Sequence, residues 1–101
     1  MTVKRFVNAI AFDSISGMNS KHAKTLQAVF SKPTTATLEW DRLEALFIAL
    51  GCRVIEGRGS RVRFECNGVI ATFHRPHPAK EAKPYQVELA RDFLTTLGVT
   101  P

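Results

Sequence analysis

Between residues 56 and 77 the chain gathers side chains suited to working on an anion. Arg58, Arg61 and Arg63 stand close together with Gly57, Gly59 and Ser60 among them, and His74 and His77 follow after a short turn. A guanidinium presents a planar fork of donors that grips a phosphate through two hydrogen bonds. An imidazole exchanges protons near neutral pH, and adjacent cations stabilise the charge that develops on phosphoryl oxygens. With RNA as substrate the nucleophile is already present as the 2′-hydroxyl, so such a set needs no metal. Gly57 and Gly59 let backbone approach a ligand, but their spacing is not that of a phosphate loop. The alternative is plainer: these residues are the polar side of a half-exposed sheet.

The elements that must position these groups are legible from pattern. Arg53–Glu56 reads as a short strand and Gly57–Ser60 as the loop leaving it. Residues 61–66 alternate, with Val62, Phe64 and Cys66 on one face and Arg61, Arg63 and Glu65 on the other. Asn67-Gly68 is a strong two-residue hairpin signal, because a type I′ turn needs positive φ at both positions. Val69–His74 is the returning strand. A two-residue turn fixes the register, which pairs Cys66 with Val69, Phe64 with Ala71 and Val62 with Phe73 on the buried face. On the other face Arg63 lies opposite Thr72 and Arg61 opposite His74. The prolines of Arg75-Pro76-His77-Pro78 end the ladder, and Lys80-Glu81-Ala82-Lys83 reads as a solvated turn.

Helices frame the hairpin. Asn19 or Ser20 caps one that runs to about Phe30, where Ser31-Lys32-Pro33 stops it. A second carries Trp40, Leu43, Leu46, Phe47 and Leu50 at helical spacing, with Thr37 as the expected cap and Gly51 as the stop. Pro84 suits the first position of a last helix whose apolar side is Val87, Ala90, Phe93, Leu94 and Leu97. Consecutive strands predict an α+β two-layer sandwich: a three-stranded antiparallel sheet with helices on one face and solvent on the other.

At 101 residues the chain holds a single domain. A formal charge of +5 and a pI near 9.7 favour an anionic partner, nucleic acid first, with an acidic protein or a membrane surface as alternatives. Residues 1–17 read as a leader, with the working domain expected over 18–101. No stretch has the length and apolarity of a membrane span, and the Lys4-Arg5 opening imitates a signal peptide only faintly. The expected location is therefore cytoplasmic. Cys52 and Cys66 make neither a disulfide framework nor a zinc pattern and read as small apolar fillers. His22 is expected on solvated helix surface. His74 and His77 lack an acidic or cysteine partner in ligand spacing, so no metal or other cofactor is expected.

From Thr37 to Val99 the chain resembles the HicA family of toxin–antitoxin toxins. The resemblance rests on the Trp40 helix ending Leu50-Gly51, on Gly59-Ser60 before the second strand, on the hairpin, on His77-Pro78, and on Lys80-Glu81-Ala82-Lys83-Pro84 opening the last helix. It implies a fold like a double-stranded-RNA-binding domain, cleavage of mRNA that blocks translation, and neutralisation by a HicB-like antitoxin. The helix from Ser20 is extra to that pattern. At position 61 the family motif has a histidine taken as catalytic, whereas this chain has Gly59-Ser60-Arg61. Arginine stays protonated at neutral pH and cannot shuttle a proton. The expected catalytic set is therefore Arg61 as electrostatic partner with His74 or His77 transferring the proton. Arg58, Gly59, Ser60, Arg61, Arg63, Arg75, Lys80 and Lys83 are expected to bind RNA. The competing expectation is a non-catalytic domain that binds RNA or only an antitoxin.

Overall fold

The computed structural model of the protein describes residues 19–101. The expected leader over residues 1–17 lies outside them. Helix α1 (Ser20–Phe30) and helix α2 (Trp40–Ala49) are followed by strands β1 (Arg53–Glu56), β2 (Arg61–Cys66) and β3 (Val69–His74), and helix α3 (Pro84–Leu97) closes the domain. The three strands form one antiparallel sheet in the order β1-β2-β3. This is the α+β arrangement expected, with its helices packed on one sheet face.

Local chemistry explains most boundaries. The Asn19 side chain accepts the backbone N–H of His22 at 2.9 Å and so starts α1. Asn67 and Gly68 hold φ of 54° and 83°, the left-handed pair that a type I′ turn requires. The β2–β3 register follows from that turn as expected: Arg61 pairs with His74, Val62 with Phe73, Arg63 with Thr72, Phe64 with Ala71 and Cys66 with Val69. Gly98 ends α3 in the left-handed region.

Two expectations fail locally. Thr37 does not cap α2; Glu39 occupies the cap position and makes no side-chain cap hydrogen bond. The threonine bonds backward, its hydroxyl 3.1 Å from that of Thr35. The stretch from Lys80 to Lys83 is not simply solvated. Trp40 N–H donates to Lys80 O and Ala82 N–H donates to Leu38 O, both at 2.8 Å, and Ala82 is fully buried. A one-pair β-bridge, Glu39 to Glu81, thus ties the start of α2 to the start of α3.

The core lies between the sheet and the helices. Phe47 of α2 sits at its centre, with ring centroids 4.8 Å from Phe64, 5.8 Å from Phe73 and 5.3 Å from Phe93. Trp40 adds a 5.2 Å edge contact to Phe73. Helix α1 contributes Leu26 and Val29 to the same cluster. Its C-terminal end is held by Arg91 of α3, whose Nε donates to the Val29 carbonyl at 3.0 Å. That bond satisfies an acceptor the helix leaves open.

Candidate nucleic-acid interface

The outer face of the sheet presents Arg61, Arg63, Thr72 and His74 to solvent, because strand alternation buries Val62, Phe64, Ala71 and Phe73 against the helices. Arg61 and His74 are directly opposed across β2 and β3, and Arg63 lies one pleat further along beside Thr72. Arg58, Gly59 and Ser60 stand exposed at the same end, in the loop that delivers the chain into β2. Among the described residues, Arg58, Arg61 and Arg63 have no carboxylate partner. Their positive charge is therefore uncompensated, which is the electrostatic condition for holding a phosphate backbone.

The loop is built to place Arg61. Arg61 N–H donates to Arg58 O at 3.0 Å and Gly57 N–H donates to Arg61 O at 2.9 Å, closing a tight turn in which Gly59 takes φ of 58°. Gly57 has a second reason to lack a side chain. A Cβ there would lie 3.1 Å from the Arg61 Cβ and 3.2 Å from its Cγ, so the bare glycine makes room for the arginine stem. Sequence pattern marked Gly57 only as permissive backbone near a ligand.

His74 has two local supports. Its Nδ1 is 3.4 Å from the Ser60 hydroxyl, a long contact across the mouth of the loop. Its carbonyl accepts the buried Gln86 side-chain amide at 2.7 Å, which pins the end of β3 to the first turn of α3. Gln86 also accepts the Lys83 N–H at 3.0 Å, joining that exposed lysine to the same corner. The backbone N–H of Arg75 donates to Ser60 O at 2.8 Å, extending the ladder past the last strand pair. His77 and Lys80 are exposed on the segment that follows, and neither bonds to Arg61 or His74.

Arg75 departs from the rest of the expected RNA-binding set. It follows His74 by one residue, so its side chain turns to the helix side of the sheet. There it donates to Glu44 at 3.0 and 2.9 Å and to Glu56 at 2.7 and 3.0 Å. Glu44 in turn accepts the Trp40 indole N–H at 2.8 Å. Hydrogen bonds from Arg75 hold the Glu56 carboxyl below the usual carboxylate range, and the two carboxylates push the guanidinium further up. The geometry makes Arg75 a clamp between α2 and β1, with its charge already neutralised.

Among the described residues, no group of three or more histidine, cysteine, aspartate or glutamate side chains is placed to hold a metal ion. Within the same residues, no helix is long and apolar enough to cross a membrane.

A three-stranded antiparallel sheet with helices on one face and a basic, open opposite face is the layout of a small α+β, double-stranded-RNA-binding-like domain. Residues 40–94 match the family model described as the HicA toxin of bacterial toxin–antitoxin systems, and the chain belongs to that family. No curated protein and no solved structure gives a significant match. The matched span runs from the first residue of α2 into the last turns of α3, so α1 stands outside it.

Proposed function

We propose that this toxin binds mRNA on the outer face of its sheet and cleaves it, blocking translation, and that a HicB-like antitoxin neutralises it. The observation that carries the reading is the direct opposition of Arg61 and His74 on an exposed face, beside arginines that have no carboxylate partner among the described residues. Arg58, Arg61 and Arg63 grip phosphates, while Lys80 and Lys83 extend the positive rim. His74 takes the proton from the attacking 2′-hydroxyl or returns one to the leaving 5′-oxygen, and Arg61 stabilises the charge between those steps. His77 is the second candidate for the proton. Acting on mRNA places the protein in the cytoplasm, and no cofactor enters the reaction as written.

One observation favours a second reading. On the resemblance described above, Arg61 stands where the family motif has its histidine, and an arginine cannot move a proton at neutral pH. A domain that holds RNA, or only an antitoxin, without cutting would look the same on this face.

Induced expression, with and without a candidate antitoxin from the adjacent reading frame, separates them. The catalytic reading predicts growth arrest with RNA fragmentation, relieved by the antitoxin and abolished by Arg61→Ala. RNA binding with steep salt dependence and intact transcripts would establish the second reading.

A further inference from the structure

Cys52 and Cys66 are cross-strand neighbours. Cys52 immediately precedes β1, and extending the Arg53–Glu65 pairing by one residue sets it opposite Cys66. The kind of pair follows from the ladder. Gly57 N–H donates to Arg61 O, so hydrogen-bonded pairs fall at Ile55–Arg63 and Arg53–Glu65, and Cys52–Cys66 is a non-hydrogen-bonded position. The hairpin gives the same answer independently. A two-residue turn makes Cys66–Val69 its closing hydrogen-bonded pair, which points the Cys66 peptide groups at β3 and away from β1.

Non-hydrogen-bonded antiparallel pairs bring Cα atoms to about 4.5 Å with their side chains closest, inside the roughly 4.4–6.8 Å window of a disulfide. Both residues lie on the helix side of the sheet. Cys52 is 7% exposed, whereas Cys66 is half-buried and packs at the edge of the core. The Asn67 side-chain amide donates to the Cys66 sulfur at 3.6 Å.

We propose that Cys52 and Cys66 form a dithiol that a low-molecular-weight disulfide oxidises to an intramolecular disulfide clamping the β1–β2 hairpin. Cys66, the more accessible sulfur, attacks one sulfur of the small disulfide; the S–S bond breaks, one small thiol leaves with the proton, and a mixed disulfide remains on Cys66. Cys52 then attacks the Cys66 sulfur, its proton leaves with the second small thiol, and the protein disulfide forms. Burial, with the Cys66 thiol alongside, pushes the Cys52 thiol up, which suits it to the second step and not the first. The closed ring would span the loop that carries Arg58, Gly59, Ser60 and Arg61. The proposal rests on register alone and stands or falls apart from RNA cleavage.

The test is to incubate the native full chain with oxidised glutathione, then measure intact mass, map peptides without reduction and record thermal melting. Wild type is expected to lose the mass of two hydrogen atoms, to yield a Cys52–Cys66-linked peptide, and to melt on the order of 10 °C above its reduced form. Cys52→Ser is expected to retain one glutathione on Cys66, because nothing resolves the mixed disulfide. A wild-type chain that keeps glutathione on Cys66, forms linked dimers, or reacts only after denaturation would overturn the proposal. The wild-type map decides the matter even if the serine variant folds poorly.

Discussion

At the scale of single residues, the expected RNA-binding cations divide into those exposed on the outer face and Arg75, which is held on the helix side. Arg63 is exposed and has no carboxylate partner among the described residues, whereas Arg75 is shared between Glu44 and Glu56. Arg63→Ala should lower the slope of log affinity against log salt for single-stranded RNA by about 0.7, the contribution of one phosphate contact. Arg75→Ala should leave that slope unchanged and instead cost about 1–2 kcal/mol of stability, between the limits for exposed and buried pairs. Salt titration of binding and denaturant melts of the two variants check both statements. If the substrate 2′-hydroxyl is the nucleophile, RNA carrying a 2′-deoxy sugar at the cut site should bind normally and resist cleavage. The opposition of Arg61 and His74 was legible in the sequence, because Asn67-Gly68 dictates the register and alternation does the rest. The role of Arg75 was legible in part: parity with His74 sends it to the helix side, but its Glu44 partner comes from another element and is set by packing.

At the scale of elements, the hairpin and its lead-in loop are positioned by bonds that local pattern only partly reveals. Strand limits, the hairpin and the stop of α3 follow from period-two alternation and left-handed turn residues, signals carried within a few positions. The Glu39–Glu81 bridge and the Gln86 bond to the His74 carbonyl join segments distant in sequence, and no local propensity marks them. Thr37 failed as a cap for the same reason, since α2 begins where the backbone pairs with residues 80–82, the segment that leads into α3. The fit of Gly57 against Arg61 yields a direct expectation: Gly57→Ala should displace the arginine stem and weaken RNA binding while leaving the helices unchanged by circular dichroism. Acid stability is also an element-scale property. The Gly68 N–H, and then Arg53, hold the Glu65 carboxyl below its ordinary range, and Arg75 does the same for Glu56. A carboxylate with a lowered folded pKa adds stability above its unfolded pKa and loses it as pH falls through the folded one. Melting temperature should therefore fall between about pH 5 and pH 3, and less steeply in Glu65→Gln, which starts lower at neutral pH.

At the scale of the molecule, a single aromatic core supports an open basic sheet face. Phe47 touches rings from the sheet and from α3, so Phe47→Ala should cost about 3–5 kcal/mol in a denaturant melt. Helix α1 lies outside the family match yet buries Leu26 and Val29 in the same core. Helix α1 is therefore a structural part of the folded domain, beyond the span that the family model matches. The protein's function was less legible than its fold, because residue types name a chemistry without saying which group performs it. The central claim is that proton transfer has passed from position 61 to a histidine across or beyond the ladder. The direct measurement is the RNA cleavage rate of purified wild type against the double variant His74→Ala, His77→Ala. The account predicts a loss of about 10²–10⁴-fold with RNA binding retained; a double variant cutting at the wild-type rate, or a wild type that binds RNA without cutting it, would contradict it.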